Sequence, residues 1–145
     1  MSRPKILLVS LGGTITMPRS GAGGIAPSLG AADLLRAVPG IEAVAEIETA
    51  SPLSMPGASL SIDNVLAVAA MADARLADGV DGIVVIQGTD TIEETAFLLD
   101  LVVRSEKSVV VTGAMRGPDA AGADGPANIL AATNLAAARD AAGLR

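Results

Sequence analysis

The stretch GIVVIQGTDTIEETAFLLDLVV, residues 82–103, holds a strand, a turn and a helix in direct succession. Residues 82–86 are a short unbroken aliphatic run, the pattern of a parallel strand buried on both faces, and Gln87-Gly88 interrupts it. Residues 91–103 change to helical spacing, with Glu93 and Glu94 in the first turn, where the positive end of the helix dipole favours acids. A strand that feeds straight into a helix is half of a right-handed βαβ unit.

The pattern recurs on either side. Lys5–Ser10 is a second aliphatic run, stopped by Gly12-Gly13, and residues 108–112 are another, ending at Gly113. Residues 31–38 read as a short helix closed by Pro39-Gly40, and residues 43–49 alternate apolar and acidic positions as a half-exposed edge strand does. Ile62–Ala77 repeats apolar residues at helical spacing, with Ser61 or Asp63 as its cap and Gly79 at its end. A last helix has Asp124 at its cap, Pro126 in the first turn and Gly143 past its end. Residues 16–30, rich in Gly, Pro and Ser, read as a loop. Strands alternating with helices predict a single α/β domain over residues 1–145, a three-layer sandwich around a mainly parallel sheet.

Composition narrows the functions. Half of the residues are apolar and 18% are charged, which excludes a disordered chain. A single aromatic residue, Phe97, and a net charge of −6 argue against nucleic acid, which needs stacking platforms and clustered bases. With neither cysteine nor histidine, the commonest metal ligands and the commonest general base are missing, so no metal and no cofactor are expected. Catalysis falls to Thr, Ser, Asp, Glu, Lys or Arg. No apolar run approaches the roughly 20 residues of a membrane span, and the chain enters its first strand without a signal-peptide pattern; no membrane association and a cytoplasmic location are expected.

In open parallel sheets ligands bind outside the carboxyl ends of the strands. That rule gathers three loops on one rim: Leu11-Gly12-Gly13-Thr14, Gln87-Gly88-Thr89-Asp90-Thr91 and Gly113-Ala114-Met115-Arg116. In the first, two glycines allow close approach to a ligand and Thr14 offers a hydroxyl, or Thr14 merely caps a turn. It is no phosphate loop, since the GxxxxGK[ST] pattern is missing. In the second, Thr89, Asp90 and Thr91 either face the crevice or cap the next helix with Glu93 and Glu94. Arg116 is an anion partner if it turns inward and a solvated charge otherwise; Asp119 and Asp124 read as loop and cap residues. Lys5 and Lys107 precede strands, which puts them on the opposite rim.

Together with Ile92-Glu93-Glu94-Thr95-Ala96, Val111-Thr112 and Ala123-Asp124-Gly125-Pro126-Ala127-Asn128, these loops resemble the bacterial-type asparaginase and glutaminase family along the whole chain. The resemblance implies a flavodoxin-like N-terminal domain that hydrolyses side-chain amides through a threonine nucleophile. By it Thr14 is the acyl-accepting threonine, Thr89 and Asp90 bind and activate substrate, and Gly13, Ser59, Gly88, Ala114 and Met115 contact it. Gly57 matches the substrate-binding serine as well as Ser59 does. Gln87 stands where many members have histidine. The family's assisting tyrosine has no counterpart, since the sequence contains no tyrosine. The lysine that partners the Thr89 and Asp90 equivalents, and the small C-terminal domain, fall past Arg145.

Three readings follow: an amidohydrolase acting on a small amide such as L-asparagine, a family member repurposed for another reaction on a small amino-acid-derived metabolite, and a non-enzymatic domain that binds a small ligand or partner. In each the partner is a small carboxylated molecule. A homodimer or higher homo-oligomer is also expected, to cover an open sheet edge.

Overall fold

The computed structural model describes residues 2–13 and 30–143. Its frame is a four-stranded sheet in the order β2-β1-β3-β4, formed by β1 (Lys5–Ser10), β2 (Glu46–Ala50), β3 (Gly82–Ile86) and β4 (Val109–Thr112). All neighbours are parallel, with Leu8 opposite Thr49 and Val84, and Val85 opposite Val111. Parallel neighbours need crossovers, and the helices supply them: α1 (Ala31–Arg36), α2 (Ile41–Val44), α3 (Ile62–Ala77), α4 (Ile92–Val102) and α5 (Gly125–Ala137).

The three layers follow from alternation along the two central strands. Ile6, Leu8, Val84 and Ile86 face one way and pack with Leu34, Ile41, Ile129 and Ala136, from α1, α2 and α5. Leu7, Val9, Ile83 and Val85 face the other way and pack with Val65, Val68, Ala72 and Leu99, from α3 and α4. Side chains that alternate across a strand bury both faces only if every position is apolar, which explains the unbroken runs. The edge strands β2 and β4 are only partly buried. Among the described residues no helix is long and apolar enough to cross a membrane.

Several boundaries differ from the sequence reading. Ala43 and Val44 belong to α2, and the second strand begins at Glu46 rather than at residue 43. The single turn of α2 carries Ile41 into the core, and Ala45 then swings to extended backbone to enter β2. The first helix stops at Arg36, short of 38. The fourth helix starts at Ile92, because Thr89–Thr91 forms a separate 3-10 turn before it. The last helix ends at Ala137, and a 3-10 turn at Arg139–Ala141 separates it from Gly143, whose N–H donates to the Glu106 carbonyl instead of closing the helix. Ser61 does cap α3: its hydroxyl accepts from the Asn64 N–H at 3.2 Å.

Because the strands are parallel, their carboxyl ends at Ser10, Ile86 and Thr112 stand in register on one rim. The opposite rim holds both lysines. Lys5 Nζ pairs with Glu48 at 3.5 Å, and Lys107 Nζ donates to the carbonyls of Leu76 and Val80 at 2.9 and 2.7 Å. Glu48 also pairs with Arg75, whose hydrogen bond holds the Glu48 carboxyl below its ordinary range.

Candidate active site

The rim is assembled by backbone contact. Leu11 N–H donates to the Ile86 carbonyl at 2.8 Å and Gln87 N–H to the Thr112 carbonyl at 3.0 Å, so each loop leaves its strand tied to the next. Gly13 has a φ of 92°, and a Cβ added there would lie 2.8 Å from Gln87 C and overlap the Gly88 nitrogen and Cα. A Cβ on Gly88 would in turn lie 2.9 Å from Gly57 N and 3.3 Å from Gly13 Cα. Three backbones therefore stack at the separation only glycine permits.

Thr89 and Asp90 stand on this floor, within the 3-10 turn before α4. Thr89 is half-buried with its methyl beside Gly113, and Asp90 is exposed. The capping alternative for this loop fails. Thr91 holds the cap position of α4, yet its side chain makes no capping bond; its hydroxyl donates to the Gly57 carbonyl at 3.0 Å. That bond fastens the turn to a second 3-10 turn, Gly57–Ser59. Gly57 is buried in the contact, whereas Ser59 is exposed on the same turn.

In the third loop Ala114 is buried in the core and Met115 is exposed. Asp124 stands at the cap position of α5 without making a capping bond. Its carboxylate instead accepts from the backbone N–H groups of Met115 and Arg116, at 3.0 and 2.9 Å, and from Asn128 Nδ2 at 3.2 Å. The Met115 and Arg116 N–H groups, in that order, hold the Asp124 carboxyl below its ordinary value. Asn128 also donates to the Gly113 carbonyl at 3.0 Å, which completes the brace. Arg116 does not serve as an anion partner in the crevice. Its guanidinium folds back onto its own loop and donates to the carbonyls of Ala121 and Gly122 at 3.3 and 3.2 Å. Asp119 is exposed on that loop.

Gln87 stands where many members of the resembled family have histidine, and sequence reasoning assigned it no role in the site. It is fully buried at the end of β3, and its Nε2 donates to the Gly88 carbonyl at 3.2 Å and to Thr91 Oγ1 at 3.4 Å. Its Oε1 is buried without a hydrogen-bond partner among the described residues. The available signal was a polar side chain closing a strand that is otherwise wholly apolar. Thr14, bonded to Gly13, lies outside the described residues, as does the loop at 16–29.

The rim thus sets the Thr89 hydroxyl and the Asp90 carboxylate on a floor of packed glycines. Comparison with known proteins places the chain in a family. Residues 5–144 match the family model described as Asparaginase, N-terminal. The chain is 40% identical over 150 aligned positions to L-asparaginase 2 of Bacillus subtilis, covering 97% of this chain and 39% of that protein. It is 38% identical over 145 positions to a probable L-asparaginase 4 of Schizosaccharomyces pombe, covering 97% of this chain and 41% of the other. The crystal structure of a probable cytoplasmic L-asparaginase from Campylobacter jejuni superposes with a TM-score of 0.89 at 33% identity, over 97% of this chain and 42% of that one. The chain spans about two fifths of the length of the relatives it matches.

Proposed function

This chain belongs to the asparaginase family, and from that premise we propose that it hydrolyses the side-chain amide of asparagine or a close analogue, with Thr14 as nucleophile. The observation that carries the reading is the contact of Gly13 with Gly88. It joins the loop that bears Thr14 to the turn that bears Thr89 and Asp90, so one small substrate can touch both.

In this reading the Thr14 oxygen attacks the amide carbon, and its hydroxyl proton passes to the departing nitrogen as the C–N bond breaks and ammonia leaves. Water then cleaves the resulting ester to the acid and the free Thr14 hydroxyl. The Asp90 carboxylate takes the substrate ammonium, and the hydroxyls of Thr89 and Ser59 take its carboxylate. Gly13, Gly88, Ala114 and Met115 contribute backbone groups around the reacting amide. Both lysines are bound on the opposite rim, so neither takes a proton here. Preference for a small amino acid agrees with the relatives, which are named L-asparaginases. A cytoplasmic location follows the Campylobacter relative. Self-association is supported by Phe97 and Leu101 on α4, about two-thirds exposed at 65% and 64%.

The test is ammonia release from asparagine and glutamine by the purified protein, with Thr14→Ala as the control. Turnover abolished by that substitution supports the reading. No ammonia from either amide, with aspartate still bound by the wild type and lost in Asp90→Ala, would replace it with a repurposed binding site.

A further inference from the structure

We infer that Gln87 is a positioning residue of this site. Its buried amide clamps the turn 88–91 and, through Thr91, sets that turn's spacing from Gly57–Ser59. What the spacing serves rests on the amidohydrolase reading; the clamp itself rests on geometry.

One NH2 group reaches both ends of the turn, since Nε2 donates to the Gly88 carbonyl at 3.2 Å and to Thr91 Oγ1 at 3.4 Å. Thr89 and Asp90 lie between those two anchors. Thr91 passes the restraint on by donating to the Gly57 carbonyl at 3.0 Å, on the turn that carries Ser59. The Gln87 backbone is fixed in parallel: its N–H donates to the Thr112 carbonyl at 3.0 Å, and its own carbonyl lies 2.6 Å from where a Gly113 Cβ would stand. Gln87 therefore ties the turn to the sheet and, by relay through Thr91, to the neighbouring turn.

Stability does not account for it. Both side-chain bonds are long, hence weak, and an Oε1 buried without a partner among the described residues adds nothing to stability. Other polar groups in this core behave differently: Thr133, equally buried, donates to the Ile129 carbonyl at 2.8 Å. A methionine fills nearly the same space as glutamine and leaves no orphaned acceptor. The amide does the one thing methionine does not, which is to hold two acceptors on a turn.

The experiment places Gln87→Met in the whole protein and measures thermal melting, 15N order parameters of residues 57–59 and 88–91, and aspartate affinity. Positioning predicts an unchanged or raised Tm, loss of order in both turns and a fall in affinity of about tenfold, the worth of one hydrogen bond. In turnover the loss appears in KM before kcat. A lowered Tm with both turns ordered and affinity intact would show that Gln87 only fills space. If Gln87→Met does not fold, Thr91→Val, which removes the relaying hydroxyl, must loosen Gly57–Ser59, and Thr91→Ser must restore it; a wild-type Thr91→Val overturns the inference. If the wild type neither binds aspartate nor releases ammonia, the functional reading fails, and the order parameters still decide the clamp.

Discussion

Gly13 lies backbone to backbone against Gly88, at a positive φ of 92° and with no room for a side-chain carbon on the facing side. The contact brings together loops from two adjacent central strands, β1 and β3, whose ends are already in register at Ser10 and Ile86. Sheet geometry alone would leave the loops side by side; the paired glycines let them touch.

Gly13→Ala should therefore cost more than backbone strain. Gly40 is the internal control, since its φ of 82° is similar but nothing lies within 4 Å of its virtual Cβ. Gly40→Ala carries only the strain of left-handed backbone, about 1–2 kcal/mol. Gly13→Ala adds a clash with Gly88 and should be the more destabilising by urea denaturation, with amino-acid binding lost as well. Equal effects from the two substitutions would mean that the loops part freely and the contact has no energetic weight.

The Asp124 brace predicts a pH dependence. Its two backbone N–H partners favour the carboxylate and lower its pKa in the folded chain from the ordinary 3.8. A depressed folded pKa gives stability that is fully present above the unfolded value and is lost as pH falls through the folded one. Asp124→Asn keeps one acceptor oxygen and no charge, so it should be less stable than the wild type at neutral pH. The gap should narrow below about pH 4 as the wild-type carboxyl takes its proton. Denaturation curves at neutral pH and at successive steps below pH 4 decide it, and a gap independent of pH would reassign the loss to packing.

The central elements were legible in the sequence because their signals are local. Lys5–Ser10, Gly82–Ile86 and Ile62–Ala77 each carry a full run of one periodicity, and their bounds match the structure. The alternation at 43–49 misled because α2 is a single turn, too short to show a helical period, and its residues merge with the strand that follows. At the rim, the loops were legible from their glycines and hydroxyls. The part played by Asp124 was not, since a cap and a brace have the same sequence, and only folding brings Met115 and Arg116 to its carboxylate. For Arg116 the sequence left an inward and an outward reading open for the converse reason: its partners are carbonyls on its own loop, which no residue type announces.

Self-association should follow from the apolar face formed by β4 and α4. A groove of about 530 Å³ runs between this strand and α4, lined in part by Phe97, Val109 and Val111. Clustered exposed apolar side chains mark surfaces that recruit another chain. Light scattering of the purified protein should report a species larger than 14.3 kDa. Phe97→Asp with Leu101→Asp should reduce it without loss of helical content, because both side chains are exposed. A wild-type monomer at high concentration would remove this face from consideration.

Two charges on the same rim should behave oppositely. Asp90 stands on the turn that faces Gly13, and its carboxylate is the group assigned to a substrate ammonium; the Arg116 guanidinium is folded onto the carbonyls of Ala121 and Gly122. Asp90→Asn keeps the shape and removes the charge. A hydrogen bond to a charged group contributes about 1.5–3 kcal/mol, so aspartate affinity should fall about tenfold or more by calorimetry. Arg116→Ala removes a long cation from the same surface, yet should leave that affinity unchanged, because the backbone N–H that binds Asp124 stays in place. If long-range attraction of a carboxylated ligand governed binding, the order would reverse: Arg116→Ala would weaken it and Asp90→Asn, by removing a repelling charge, would strengthen it. The sign of the two changes therefore separates a built ammonium site from a merely charged rim.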